Sequence, residues 1–281
     1  MDVYEALDNI GGAIYSGIPR FRYSLDPINK IKKELETVGV RFFLNSKVDA
    51  KRLVELQKEY PFVVLGVGAP EENMAGLPNV KGIIGGTAFL KSINLTHKEE
   101  NWKAHYSNPI IWGGGNVAMD CARSVVRIFG KATVVYRRGE EEMPATKVEI
   151  EEAKKEGVVF RFLENIVEPI FEEGSLVSVL TSKMAYSEVD DSGRRSVEEI
   201  EGTREFLPAD LLIAALGEKS DLSIFELPTL DLEELRKRRI YVVGDARYGA
   251  KNIASAIASG KEIASQIEED DLNSTTVLAS F

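Results

Sequence analysis

Three glycines and two arginines carry most of the chemistry legible in this sequence. Gly113, Gly114 and Gly115 follow Pro109-Ile110-Ile111-Trp112, a short apolar run that predicts a buried strand. From Asn116 the apolar residues Ala118, Ala122, Val125, Val126 and Phe129 recur at helical spacing, and Gly130 stops them as a C′ residue. Residues 132–136 predict the next strand. Together these make a β-α-β unit of about 30 residues, as a parallel sheet requires. Inside it lies Gly113-x-Gly115-x-x-Ala118. The first glycine permits the tight turn, the second lets backbone approach a pyrophosphate, and the small third residue keeps helix and strand close. The pyrophosphate rests on N–H groups at the start of the helix, so Gly113, Gly115, Asn116, Val117 and Ala118 are the expected dinucleotide contacts.

The end of the second strand selects the nucleotide. A carboxylate there accepts from a ribose 2′-hydroxyl and repels a 2′-phosphate. This sequence has Arg137 and Arg138, whose guanidinium groups bind a phosphate through charge-assisted hydrogen bonds. The expectation is NADPH. Met143, in Met143-Pro144, is expected beside the nucleotide, as is Gly217 at the end of a later apolar strand. The run 140–142 and Lys30 to Lys33 read as solvated faces, and Cys121 reads as a small core residue.

The elements around this unit repeat. Residues 34–45 resemble 153–165, each a helix end, a glycine and a strand. Residues 62–68 resemble 211–217, each an apolar strand that ends in glycine. Val3-Tyr4-Glu5 matches 134–137, with Glu5 in the position of the ribose-binding acid. Residues 1–70 thus read as a second dinucleotide unit entered at its second strand. This copy has no first strand, glycine turn or helix of its own, so a parallel sheet would keep two unpaired edges. A strand from another polypeptide, or from a longer chain, is expected to fill the gap, in preference to the alternative of a rearranged sheet. Residues 240–245 predict a strand ending in Gly-Asp, and Asn252 to Ile267 predict a helix. Residues 174–207 predict a small antiparallel excursion with a turn at Asp190-Asp191-Ser192-Gly193, and 268–281 a loose acidic tail.

The 281 residues carry a net charge of −10, one Cys and two His. An acidic chain argues against nucleic-acid binding. One Cys cannot form an internal disulfide, a CxxC pair or a cluster site. No metal site is expected. No apolar run approaches the ~18 residues of a membrane span, and the acidic start is unlike a secretory signal. The expectation is a cytoplasmic protein without a membrane partner.

Several runs resemble the NADPH-dependent glutamate synthase small (β) subunit family. It includes the large subunit of NADH-dependent ferredoxin:NADP oxidoreductase, sulfide dehydrogenase and the N-terminal part of dihydropyrimidine dehydrogenase. The matching residues are Glu5-Ala6-Leu7 with Gly11-Gly12, Gly17-Ile18-Pro19-Arg20-Phe21-Arg22, Gly113 to Asp120, Tyr136-Arg137-Arg138, Glu142-Met143-Pro144-Ala145 and Gly244-Asp245. The resemblance implies an α/β fold of two Rossmann-like domains, glutathione-reductase-like, with the NADPH domain inserted in the FAD domain. Residues 1–95 and 218–267 would form the FAD part and 96–217 the NADPH part. It implies that Glu5 holds the FAD adenosine ribose and that Gly11, Gly12, Gly17, Ile18 and Pro19 line the flavin side. Gly68 would close the FAD strand, Asp245 would accept from the ribityl chain, and the helix at Asn252 would point at the flavin. Family members also carry a Cys-rich iron–sulfur domain and a first glycine fingerprint that are not in this sequence, and Gly66-Val67-Gly68 replaces the usual Ala-Thr-Gly.

The implied activity is hydride transfer from NADPH to FAD, with electrons passed to an iron–sulfur partner. That chemistry depends on stacking and orientation, and no acid–base side chain is assigned to it. The alternative is a nucleotide-binding or assembly subunit without flavin or catalysis of its own.

Overall fold

The computed structural model describes residues 1–96, 99–189, 195–227 and 231–278. In chain order the elements begin with β1 (Asp2–Tyr4), α1 (Ala13–Ser16), α2 (Asp26–Thr37), β2 (Arg41–Phe43), α3 (Ala50–Glu59), β3 (Val63–Leu65) and β4 (Glu71–Glu72). Next come β5 (Ile83–Gly85), α4 (Gly86–Thr96), α5 (Glu99–His105), β6 (Pro109–Trp112), α6 (Asn116–Phe129), β7 (Ala132–Tyr136), α7 (Lys147–Lys155) and β8 (Val158–Phe162). The strands β9 (Glu164–Glu172), β10 (Ser175–Val189), β11 (Arg195–Glu199), β12 (Glu205–Pro208) and β13 (Leu211–Ala214) follow. The last elements are β14 (Glu218–Lys219), α8 (Leu232–Lys237), β15 (Ile240–Val242), α9 (Asp245–Tyr248) and α10 (Ile253–Leu278).

Two compact units result, one of residues 1–12, 29–71 and 218–281, the other of residues 13–28 and 72–217. Along the chain, the two segments of the second unit alternate with the three segments of the first. The boundaries of the second unit differ from those expected in two places. Residues 72–95 belong with the second unit, because β5 pairs in parallel with β13. Residues 13–28, also placed with the first part by sequence, pack in the second unit as well.

The second unit is built on a parallel sheet of order β5-β13-β6-β7-β8. Alternate residues face its two sides, and both sides are buried. Ile111, Val134 and Ile213 meet Phe89, Leu90 and Ile93 of α4, Met119, Ala122 and Val125 of α6, and Ile150 and Ala153 of α7. Ile110, Val135 and Leu212 meet Ile166, Leu176 and Val179. The antiparallel strands β9 to β12 therefore cover the face opposite the helices, which explains why an excursion interrupts the repeat. The expected turn at residues 190–193 lies outside the described residues.

The first unit has two separate parallel pairs, β1–β2 and β3–β15. Matched to the second unit through the repeat, β3 corresponds to β13, β1 to β7 and β2 to β8. The counterpart of β6 is missing among the described residues. Side chains take over part of the connection: the Tyr4 and Tyr60 hydroxyls lie 3.3 Å apart, Tyr60 donates to Asp2, and Arg52 Nη2 donates to the Tyr4 hydroxyl at 3.3 Å. The apolar core of this unit gathers on the other pair, where Leu53, Leu65, Leu235, Ile240 and Val242 meet.

The acidic end is not a loose tail up to residue 278, since α10 continues to Leu278. Asp270 accepts from Arg236 Nε and Nη2 at 2.9 and 2.8 Å and from the Tyr241 hydroxyl at 2.5 Å, which fixes the helix beyond residue 267. No described helix is long and apolar enough to cross a membrane. Asp270→Ala should lower stability by about 1–2 kcal/mol in urea unfolding, through two lost partners of one carboxylate. Unchanged stability would show that α10 is held by its apolar face alone.

Candidate functional site

The parallel order places a switch point at β6. From β6 the chain moves outward through β7 and β8, then returns to β13 on the other side. Open α/β sheets bind ligands at the carboxyl ends of the strands at such a point. The glycine turn lies there. Gly113 has φ of 143°, and a Cβ on it would stand 2.2 Å from the Ala215 carbonyl oxygen, so β6 can leave the sheet only as glycine. A Cβ on Gly114 would meet the Tyr136 ring at 2.6 Å. Gly115 differs: it is the N-cap of α6, has an ordinary extended backbone, and faces open space. The middle of the motif is sterically locked, and its last glycine leaves room in front of the helix N-terminus.

A second loop is tied onto this turn. Ala145 N donates to Gly114 O at 3.1 Å, and Thr146 N donates to Asn116 Oδ1 at 3.2 Å. Val117 packs against Gly86, Ala118 is buried, and Cys121 is a buried core thiol whose ionisation burial pushes well up. Met143 is also in the core, where its side chain anchors the loop. Gly217, with φ of 106°, ends the unit and accepts from Asn73 N.

The two arginines separate. Arg137 is exposed at the end of β7 and has no hydrogen-bond or ion-pair partner among the described residues. Arg138 is buried; its Nε donates to Arg195 O at 2.9 Å, and its carbonyl accepts from Leu163 N. The pair that sequence treats as equivalent is one free cation and one structural one.

In the first unit, Glu5 follows β1, and its Oε1 accepts from Leu7 N at 2.8 Å. Gly11 and Gly12 both have positive φ, at the end of the segment 1–12. Gly68 has φ of 74° just after β3. Asp245 opens α9 and accepts from Lys251 N, and Asn252 Oδ1 caps α10 by accepting from Ser255 N at 2.9 Å. Gly17, Ile18 and Pro19 are elsewhere: they belong to the second unit, where Asn94 Nδ2 donates to Ser16 O and Ile18 O at 2.9 and 3.2 Å.

That segment leads to a cluster the sequence reading did not assign. Arg22 bonds both Asp120 of α6 and Glu149 of α7. Phe21 lies under Arg123 and Arg127, 5.1 and 3.5 Å from ring centre to guanidinium, and both arginines hold Glu156. The signal was present, because Asp120 ends the glycine-rich run and Arg22 ends the Gly17 run. Only their pairing was not legible. Among the described residues no group of His, Cys, Asp or Glu could hold a metal ion.

The pyridine nucleotide-disulphide oxidoreductase family matches residues 19–260. This chain belongs to that family. The β subunit of NADP(+)-dependent formate dehydrogenase from Moorella thermoacetica is 31% identical over 95% of this chain and 40% of its own length. The NADPH glutamate synthase small chain of Escherichia coli is 28% identical over 94% of this chain and 62% of its own. The chain therefore spans between two fifths and two thirds of these relatives, which are oxidoreductases. Among solved structures, Mycobacterium tuberculosis FprA in complex with NADPH shares the fold with a TM-score of 0.79 at 20% identity, over 98% of this chain and 78% of that one. Thioredoxin reductase of T. acidophilum shares it with a TM-score of 0.66 at 13% identity, over 96% of this chain and 90% of that one.

The Arg22 cluster carries a pH signature. Burial pushes the Asp120 carboxyl up from 3.8 to about 6, against the pull of Arg22. A carboxyl whose pKa is higher folded than unfolded supports folding fully below the lower value, and that support is lost as pH rises through the higher one. Relative to Asp120→Asn, the wild type should therefore lose about 2–3 kcal/mol of stability between roughly pH 4 and 7. Parallel stability profiles for the two proteins would refute this.

Proposed function

We propose that this chain is the NADPH-oxidising, flavin-binding part of a cytoplasmic oxidoreductase of glutamate synthase small-subunit type, which passes electrons to an iron–sulfur partner. One observation carries the reading: the switch point of the second unit combines an open Gly115, a helix N-terminus and Arg137, which is unpaired among the described residues. These groups fit a dinucleotide with a 2′-phosphate. The N–H groups at the start of α6 suit its pyrophosphate, Asn116 and the Ala145–Thr146 loop fix that turn, and Arg137 supplies charge for the 2′-phosphate. Arg138 supports from below by holding β11.

The first unit fits FAD in part. Glu5, Gly11, Gly12, Gly68 and Asn252 occupy loops next to strand or helix ends in it and Asp245 opens α9, whereas a glycine turn linking a strand between β1 and β3 is lacking among the described residues. Bound FAD would take a hydride from NADPH and release electrons singly. A strand–turn–helix segment, in the same polypeptide or a partner, would supply the phosphate cradle and pair with β1 and β3. The same gap supports a second reading, a nucleotide-binding or assembly subunit without flavin. Absorbance at about 450 nm, bleached by NADPH, separates the two.

Two measurements test the nucleotide site. Gly115→Val should abolish NADPH binding in calorimetry while circular dichroism stays native, because the added side chain enters space that the fold does not use. Unchanged affinity would make the turn structural only. Arg137→Ala should weaken NADPH by about 2 kcal/mol and leave NADH unchanged. Equal loss for both nucleotides would remove the 2′-phosphate assignment.

A further inference from the structure

The antiparallel strands β10 and β11 reach the same loop that carries Arg137. Tyr186 of β10 accepts from Gly139 N at 2.8 Å and donates to Glu142. Arg195 of β11 donates from Nε and Nη2 to Glu142 Oε1 at 2.9 and 2.7 Å. Its guanidinium lies over the Tyr186 ring, 3.7 Å from the centre, and its side chain is 51% exposed. Its carbonyl is the acceptor for Arg138 Nε, which fixes β11 beside the end of β7. Glu142 follows the exposed Arg137 by five residues on the one-turn 3-10 helix Glu140–Glu142, and its carbonyl accepts from the Tyr136 hydroxyl at 2.8 Å.

This is more than a surface ion pair. An exposed pair is held by two flexible chains and contributes little. Here the aromatic ring orients the guanidinium plane, the Tyr186 hydroxyl completes the shell around the carboxylate, and a backbone N–H fixes that hydroxyl in turn. A forked donor beside a hydroxyl, both meeting one carboxylate, is also the donor set that a phosphate monoester accepts from. Among the described residues Glu142 is the acidic side chain bonded by both, and it presents a single negative charge where the monoester presents nearly two.

We propose that Arg195 is a further cation for the nucleotide 2′-phosphate, and that it exchanges the Glu142 carboxylate for that phosphate when the nucleotide binds. The inference rests on the NADPH reading of the second unit and extends it, because the specificity-setting group then comes from the antiparallel excursion as well as from β7. Tyr186 acts as a positioning residue, holding the guanidinium plane and the Gly139 backbone. The exchange breaks and forms only hydrogen bonds and ion pairs. The strands that cover one face of the sheet thereby gain a second duty at its carboxyl edge.

The test uses the full chain and two probes, 2′,5′-ADP and 5′-AMP, titrated by calorimetry. Arg195→Ala should weaken 2′,5′-ADP about ten-fold and leave 5′-AMP unchanged. Glu142→Gln should act in the opposite direction, tightening 2′,5′-ADP several-fold, since the competing anion is gone. Arg195→Lys, which keeps the charge but not the fork, should fall between Arg195→Ala and the wild type. A 2′,5′-ADP affinity unaltered in Arg195→Ala, while Arg137→Ala weakens it, would overturn this inference and spare the NADPH reading. No effect from either arginine would overturn both. Equal weakening of the two probes by Arg195→Ala would show that the residue only shapes the loop, and weaker 2′,5′-ADP binding in Glu142→Gln would refute the exchange.

Discussion

The close passage of Gly113 beside the Ala215 carbonyl is the constraint on which the rest of the second unit depends. A side chain at that position would lie inside the van der Waals radius of a backbone atom that the sheet itself fixes. Because the passage is tight, β6 and β13 stay paired through Trp112 and Ala214, and α6 begins directly above them. The first turn of that helix then presents its unpaired N–H groups at the sheet edge and not over the sheet face. The open side of Gly115, the tie from Thr146 to Asn116 and the position of Arg137 all follow from where α6 starts.

Among the described residues, the two units show the same plan with and without its central strand. In the second, every strand between the edges has two ladder neighbours, and apolar side chains fill both faces. In the first, β1 and β3 each have one neighbour, and Arg52, Tyr4, Tyr60 and Asp2 form a polar and aromatic bridge near them. Backbone pairing normally supplies the order of a parallel sheet at low cost in side-chain freedom. Here rotamer-rich side chains do some of that ordering, which is a less economical solution per contact.

Much of this was legible in sequence because the periodicities were strong. The strand, glycine turn and helix from 109 to 130 came from residue type alone, and φ of 77° at Gly130 matches its role as a helix stop. The repeat predicted which strands correspond. What sequence did not disclose were relations across long separations. Arg137 and Arg138 look alike until β11 covers one of them. The resemblance puts residues 13–28 in the first unit, yet Asn94, Asp120 and Glu149 draw them to the second. Likewise, the acidic stretch after residue 267 has the composition of a tail, and only Asp270 meeting Arg236 and Tyr241 makes it part of a helix with a fixed place.

Because neither unit is a continuous stretch of chain, the order of synthesis matters to how the protein assembles. The second unit has all of its strands once residue 217 has emerged, and its strap, residues 13–28, has by then been available for some time. The first unit is different: β3 has no ladder partner among the described residues until β15 appears at residue 240. For the interval between, a growing chain carries a finished second unit and an unfinished first one, with Leu53 and Leu65 waiting for Leu235, Ile240 and Val242. Domains tend to fold as units from the N-terminus during translation, at about 5–20 residues per second. Here that order is reversed for β3, whose Leu65 and its apolar neighbour Leu53 need shelter until β15 is made.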